Sequence, residues 1–368
     1  MVARNLAKVQ VAGSNPVVRS LRTSSTDAGR EQERKSKVGW PRGEAQDCKS
    51  CYTGSNPVPT SLKNPYAFLM QGSPHTLALD IGATKIAFAL IDSDCEVLSR
   101  GAISSQGNDD LWAVLSHSLK EFASADTSHI GIATAGPIDL RAGSISPVNI
   151  AQWRNFEIVK NISQLFPNAT VHMIGDCTAL ALAEHSIGAG KGFSNLLGVV
   201  VSTGIGGGLV INGKVLEGES GNAGLIGHHT IAFDSDRLCV CGRTGCLEEF
   251  ARGPKMVETA HRLGWVGGED FQSLAASAEV GDQLAKTAIE LGARALAVGL
   301  VNAMMITDVH TVVIGGGVSF AGEVYLAPLR AHLKKEAELS GFLNDIKILP
   351  ATLGADAGLI GAAIFAQQ

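Results

Sequence analysis

No stretch of this chain reaches the ~18 uninterrupted apolar residues that a membrane-spanning helix needs. The most apolar run, 196–211, is broken by five glycines. An excess of positive charge is missing too. The chain carries 30 Lys+Arg against 35 Asp+Glu, a net −5, which argues against a nucleic-acid partner. Cysteine is scarce and odd in number, seven in all with three of them clustered. That fits a reducing, cytoplasmic setting better than a disulfide framework. There is no Walker A loop, and no GxGxxG opens a helix after a first strand. The commonest nucleotide-binding folds are thereby removed.

What is present describes a globular protein. At 368 residues, 45% hydrophobic and 18% charged, the chain can form two domains or lobes with ample core, and its 43 glycines imply many tight turns. Charge is unevenly spread. Residues 1–69 hold 11 Lys+Arg against 5 Asp+Glu, a surplus of +6, so the remainder stands at −11. That same stretch has little apolar periodicity and repeats Gly-Ser-Asn-Pro-Val at 13–17 and 54–58. It reads as a disordered extension. A transit peptide is opposed by Asp27, Glu31, Glu33 and Glu44. The pair Cys48 and Cys51 has no helix pattern behind it and carries little weight. A further reading starts the native protein at Met70, with residues 1–69 no part of it.

From Thr76 the texture changes. The segment 76–104 reads as a buried strand, a glycine turn, a second strand, a turn at 92–94 and a third strand. A helix is predicted over 111–122, a strand over 129–135, a short strand over 171–174 and a helix over 178–187. Residues 195–218 then repeat the opening unit, with a tight turn at Asn212-Gly213. Two copies of one unit, about 120 residues apart, predict two related lobes that face each other. Further helices are expected over 255–263, 270–278, 283–306 and 356–367, and a strand over 311–314. The lobes are set at 74–177, completed by 354–368, and 178–353. The small-residue helices at 287–306 and 354–367 pack either within the fold or between subunits, and a homo-oligomer, a dimer, is expected.

Three signals carry chemistry. The first is the segment 221–249, with His228, Cys239, Cys241, Cys246 and Glu248. Thiolate and imidazole are the ligands zinc prefers, four of them in a closed structural site. Gly242 and Gly245 allow the turns that aim three sulfurs at one centre, and His228 is the natural fourth ligand. The plainer alternative is three reduced cysteines that happen to cluster. A bound zinc would fix the direction of Glu248, two residues past the last sulfur, as a carboxylate for binding a ligand. The second signal is three glycine turns after apolar strands: Asp80 to Lys85 with Gly82 and Thr84, Ser202 to Gly208 with Thr203, Gly204, Gly206 and Gly207, and Gly315 to Gly317 with Gly316. Such turns bring backbone N–H groups close to phosphate oxygens. Together they point to a nucleotide held in a cleft. The third is Asp176, at a strand end before a helix. It is either a proton acceptor for a hydroxyl that attacks a phosphate or the N-cap of a helix starting near Thr178. Asp80 is either a metal- or phosphate-facing carboxylate or a satisfied turn residue. Glu184 and His185 are expected to be solvated.

Together these residues resemble the ROK family of sugar kinases and sugar-responsive repressors, from about Thr76 to the C-terminus. DIGATK is similar to the family's first phosphate motif, with Ala83 where glycine is usual. STGIGGG resembles the second, and GH followed by CxCGxxGCLE resembles the zinc signature. The resemblance implies an α/β, two-lobed, actin-like (ribonuclease-H-like) sugar kinase fold with a structural zinc site. It implies His228, Cys239, Cys241 and Cys246 as zinc ligands and Asp176 as catalytic base. Sugar would be bound by Gly136, Asn149, Asp176, His228 and Glu248, with Trp153 in the same substrate loop. ATP and Mg2+ would be bound at Asp80, Gly82, Thr84, Lys85, Thr203, Gly204, Gly206, Gly207, Gly315 and Gly316. Two positions depart from the pattern: Gly175 stands where Asn is usual, and Leu225 where Glu is usual. A charged hydrogen bond lost at either is worth about 1.5–3 kcal/mol in sugar binding. The N-acetylmannosamine kinases of the family also lack that Glu, and leucine suits an apolar substituent, which favours an N-acetylated sugar. The implied activity is phosphorylation of the 6-hydroxyl of glucose, N-acetylmannosamine or N-acetylglucosamine, with no nucleic acid or membrane as partner. The alternative is a sugar-sensing regulator without catalysis, although residues 1–69 lack the helical periodicity of a DNA-binding helix-turn-helix.

Overall fold

The computed structural model describes residues 75–124 and 127–368; the expectations for residues 1–69 lie outside the described residues. Strand β1 (His75–Ile81) is buried along nearly its whole length, because both faces of its sheet are covered. It pairs antiparallel with β2 (Lys85–Asp92), and β2 pairs antiparallel with β3 (Val97–Ser104). The next long strand, β4 (His129–Thr134), lies parallel to β1 on its other side. A small hairpin of β5 (Ile138–Asp139) and β6 (Ser144–Ile145) follows, and β7 (Thr170–Gly175) closes the sheet parallel to β4. The order is β3-β2-β1-β4-β7.

The second sheet repeats this. β8 (Leu196–Val201), β9 (Ile205–Ile211) and β10 (Lys214–Val215) form the antiparallel meander, and β11 (Thr311–Gly315) and β12 (Lys347–Pro350) add in parallel. The order, β10-β9-β8-β11-β12, matches the first sheet strand for strand. This is the two-lobed, actin-like arrangement that the repeated sequence unit predicts.

Helices fill the faces. On the first sheet α1 (Leu111–Phe122), N-capped by Asp110, and α2 (Ile158–Leu165) bury Leu111, Leu115, Ile158 and Ile162 in one core. The second sheet carries α3 (Asp176–Ser186) on one face. Its other face meets a helical layer: α4 (Glu248–Ala251), α5 (Gly253–Leu263), α6 (Phe271–Glu279), α7 (Gln283–Thr307) and α8 (Glu323–Ser340). By length and composition α7 is apolar enough to cross a membrane. Here it is the central helix of that layer, with Leu296 and Leu300 fully buried against its neighbours.

The last helix, α9 (Ala357–Ala366), returns to the first sheet and packs on β1, β4 and β7. It also crosses α3, so the two helices form the joint between the lobes. Both are built of small residues because the backbones nearly touch. A Cβ at Gly361 would lie 1.9 Å from the Ala179 carbonyl oxygen, and one at Gly131 would lie 2.0 Å from that of Ala362.

Candidate active site

The polar candidates gather where the strands end. Asp80 is the penultimate residue of β1 and precedes the first glycine turn, in which the Gly82 amide donates to the Lys85 carbonyl at 3.0 Å. Its carboxylate lies against Gly358, in the first turn of α9; a Cβ there would sit 2.5 Å from Oδ2. Burial, then the negative charge of Asp176, push the Asp80 carboxyl up to about 7, with Lys85 opposing. Thr84 and Lys85 are exposed at the tip of the turn.

Asp176 is the first residue of α3, and Gly175 is the N-cap. The helix therefore starts two residues earlier than predicted, and Asp176 does not serve as its N-cap. Its Oδ1 accepts instead from the amide of Cys177 at 2.7 Å. Burial raises its pKa above the ordinary carboxylate range, and the Cys177 hydrogen bond offsets only part of that. A carboxylate with a raised pKa is a better proton acceptor.

Glu248, 8% exposed, opens α4, and its Oε2 accepts from the Ile205 amide at 2.7 Å. That oxygen also occupies the space a Cβ at Gly204 would need, at 2.8 Å. The Glu248 carboxylate is thus seated on the second glycine turn. Cys177 connects the three acids. Its thiol is held well above the ordinary range by burial first, then by Asp176, Asp80 and Glu248, so all three carboxylates lie within electrostatic reach of one sulfur. Cys177, next to Asp176, abuts Gly206, and Glu248 abuts Gly204 and Ile205, so both acids are carried to the second glycine turn.

The glycines divide by role. At Gly206 a Cβ would meet Cys177 Sγ at 2.4 Å, and at Gly207 the Gly224 carbonyl at 2.9 Å, so close packing alone demands both. Gly315 is fully enclosed, and Gly316 lies against the Val201 carbonyl at the end of β8. Thr203 is exposed, and its carbonyl accepts from Arg252 Nη1 at 3.2 Å. Arg252 also reaches buried Glu249 at 3.4 Å. This brace between the turn and α4 was not anticipated, since an Arg-Gly pair beyond the cysteine motif carries no spacing signal.

The segment 147–150 is braced as well. The Arg154 guanidinium donates to the carbonyls of Pro147, Val148 (2.8 Å) and Ile150 (3.3 Å), holding the loop that exposes Asn149. Trp153 does not face the loop's open side. It is 2% exposed and stacks on Phe156 at 4.7 Å, supporting the loop from the core. Gly136 lies 3.6 Å, at its Cβ position, from the Asn222 amide oxygen. Asn222 accepts from the Ile138 amide at 3.0 Å and donates to the Ile138 carbonyl at 2.6 Å, tying β5 to the segment 217–224. Leu225 is exposed next to that segment.

His228, Cys239, Cys241 and Cys246 converge, with one ligand atom from each within 4.8 Å of all the others. His228 Nδ1 is 3.4 Å from Cys239 Sγ, and Cys241 Sγ is 3.6 Å from Cys246 Sγ. The edge of a zinc–thiolate tetrahedron is about 3.8 Å for Zn–S bonds of about 2.3 Å. The donor set and its spacing fit a zinc ion. Gly242 and Gly245, at φ +86° and +72°, make the turns that bring the sulfurs in. Burial and the hydrogen bond to Cys241 push the Cys246 thiol up to about 12, whereas Cys241 is lowered; a bound cation would favour the thiolate of Cys246.

Comparison with known proteins agrees with this geometry. The ROK family model matches residues 76–368. N-acetylmannosamine kinase of Escherichia coli (strain 55989 / EAEC) is 38% identical over 298 residues, covering 79% of this chain and 98% of that protein. Among solved structures, the ROK hexokinase of Thermus thermophilus superposes with a TM-score of 0.69 at 33% identity, covering 80% of this chain and 98% of the other. A ROK family glucokinase of Streptomyces griseus, in complex with glucose and AMPPNP, gives 0.69 at 28% identity, with 80% and 99% covered.

Proposed function

The chain belongs to the ROK family, and we propose that it is an ATP-dependent kinase that phosphorylates the 6-hydroxyl of an N-acetylhexosamine, N-acetylmannosamine before N-acetylglucosamine or glucose. The observation that supports this is that Asp176, through Cys177, and Glu248 are both seated at the second glycine turn. Asp176, with its raised pKa, and Glu248, clamped to the second glycine turn, stand near one another and near Asp80. Glu248 takes sugar hydroxyls on Oε1, since Oε2 is engaged by Ile205. Asp176 removes the proton of the 6-hydroxyl as that oxygen attacks the γ-phosphorus. The bond from the γ-phosphorus to the β–γ bridging oxygen breaks, and ADP leaves. The turns at Gly82–Lys85 and Thr203–Gly204 hold the phosphates through backbone N–H groups, with Thr84, Thr203 and Lys85 beside them. Magnesium, when bound, neutralises phosphate charge, and Asp80 is the carboxylate nearest the first turn. The Cys3His site holds zinc and keeps the segment carrying Glu248 rigid.

The preference for an N-acetylated sugar is supported by exposed Leu225, where a hydrophobic side chain meets an acetamido methyl better than a hydroxyl, and by the 38% identity to the N-acetylmannosamine kinase. A coupled ADP-release assay with N-acetylmannosamine, N-acetylglucosamine and glucose tests it; kcat/KM highest for glucose removes the N-acetyl assignment. Asp176→Asn is expected to lower kcat by about 10²–10⁴, the usual contribution of a positioned base. Sugar affinity, read by calorimetry, should stay close to that of the parent protein. Undiminished turnover in this variant would take the base role from Asp176.

A further inference from the structure

Glu184 is a fully buried carboxylate that the reaction above does not use. It lies on α3, two turns beyond Asp176, and its partners are at the far end of that helix. Four neutral donors satisfy it. Oε1 accepts from the amides of Thr352 and Leu353, both at 2.8 Å. Oε2 accepts from the Ala189 amide at 2.8 Å and from the Thr352 hydroxyl at 3.1 Å. Its own carbonyl accepts from the amides of Gly188 (3.1 Å) and Gly190 (2.8 Å).

These partners belong to two segments far apart in sequence. Residues 187–195 lead from α3 into β8, and residues 351–356 lead from β12 back to α9. The first leaves the far end of α3, the helix by which the chain passes from β7 to the second sheet, and the second is where the chain returns to the first lobe. One side chain therefore binds the return crossing and the turn after α3 to the end of the helix that carries Asp176. Just beyond Leu353 the constraint changes owner. Asp356 is paired with Arg100 on β3, at 3.1 and 3.2 Å, so it moves with the first sheet. Between them stands Gly354, at φ +57° with nothing near its Cβ position. A fixed point, a free glycine and a second fixed point describe a pivot.

We propose that Glu184 is a positioning residue, which by stapling the segments 187–190 and 351–353 to the end of α3 fixes the axis about which the lobes close and hence where α3 holds Asp176 between the strand ends of the first sheet and the second glycine turn. This rests on the kinase reading for its catalytic consequence, whereas the staple itself is a statement about the substrate-free protein. A buried carboxylate facing only donors also has a clear isostere test. Glutamine keeps the volume but turns an NH2 toward donors, leaving at least one of the two segments without its acceptor.

Hydrogen exchange on the substrate-free protein, comparing parent and Glu184→Gln, reads the staple. Protection should fall together at 187–190 and 351–354, by about tenfold or more, while β1 and β8 stay protected. Steady-state kinetics read the consequence: kcat should fall about tenfold while sugar KM stays within about threefold, and Glu184→Asp should recover part of the loss. Should Glu184→Gln fail to fold, Thr352→Val removes a single donor and is expected to loosen the same two segments to a smaller extent. Loss of protection confined to 187–190 would overturn the staple. Loosening of both segments with kcat unchanged would overturn the positioning role. Absence of turnover in the parent protein with any of the three sugars would instead defeat the kinase reading and the positioning role that rests on it, with the exchange result still deciding the staple.

Discussion

Asp80 and Asp176 illustrate how burial sets the behaviour of single residues. Asp80 titrates near 7 in the folded chain because burial and the neighbouring Asp176 both oppose its charge. Its unfolded value is the ordinary 3.8. Between these two pH values the unfolded chain loses the proton and the folded chain keeps it. Stability therefore falls as pH rises from about 4 to about 7 and is level above that, for this group. Asp80→Asn removes the penalty. In the absence of nucleotide and magnesium the variant should melt higher than the parent at pH 8, by at least the ~2–4 °C that 1 kcal/mol gives a chain of this class. The difference should close as pH approaches 4. A constant difference from pH 4 to 8, followed by calorimetry, would contradict the raised pKa. Residues of this kind were legible as candidates because acids at strand ends, within two residues of a glycine, are visible in the sequence. Glu184 was not. Beside His185 it reads as part of a charged, solvated patch, whereas the structure buries it completely, because the amides of Thr352 and Leu353, about 170 residues away, help to satisfy it and leave no trace in the residue pattern.

At the scale of elements, the segment from His228 to Glu248 was the most readable, since metal-ligand chemistry restricts both residue type and spacing. The structure brings its four donor atoms within 4.8 Å. It adds what spacing does not reveal: Arg243 pins the His228 carbonyl at 3.2 Å, and Arg237 pins the Glu249 carbonyl at 2.8 Å. Cys241→Ser removes the exposed ligand and leaves the buried ones in place. It is expected to lower the zinc content measured by elemental analysis and to raise the sugar KM more than the ATP KM, because Glu248 loses its brace while the first glycine turn is untouched. Full zinc occupancy in that variant would sink the assignment of Cys241. The repeated strand-turn-strand units were equally legible, as alternating apolar runs broken by glycine. By contrast α8 was not foreseen. Pro328 lies inside it, and its polar face is rich in Lys, Glu and Arg, so its helical period is weak; burial of Tyr325, Leu326, Leu329 and Leu333 against the second core decides the matter.

For the whole molecule, the sequence repeat implies two sheets but says nothing of how they join. The joint is the crossing of α3 and α9, and the small residues of α9 read equally well as a subunit contact. Within the fold they serve close approach. Ala179, Ala183, Ala362 and Ala363 are buried in one cluster shared by the two helices, and Ala181 on α3 faces the second sheet in another. A helix that belongs to two cores couples them, so both lobes should unfold in one transition rather than two. Gly361 is the tightest point. A side chain there meets the Ala179 backbone at 1.9 Å, and backbone cannot rotate aside as a side chain can. Gly361→Ala should therefore force the helices apart and cost about 1–3 kcal/mol, as overpacking in a well-filled core does. Because the wedge enters at the joint and not in either sheet, the loss should lower the midpoint of the single transition and not split off one lobe. Differential scanning calorimetry distinguishes the outcomes. A midpoint equal to the parent's would mean that the two helices do not approach this closely, and a second peak would mean that α3 does not bind the lobes into one cooperative unit.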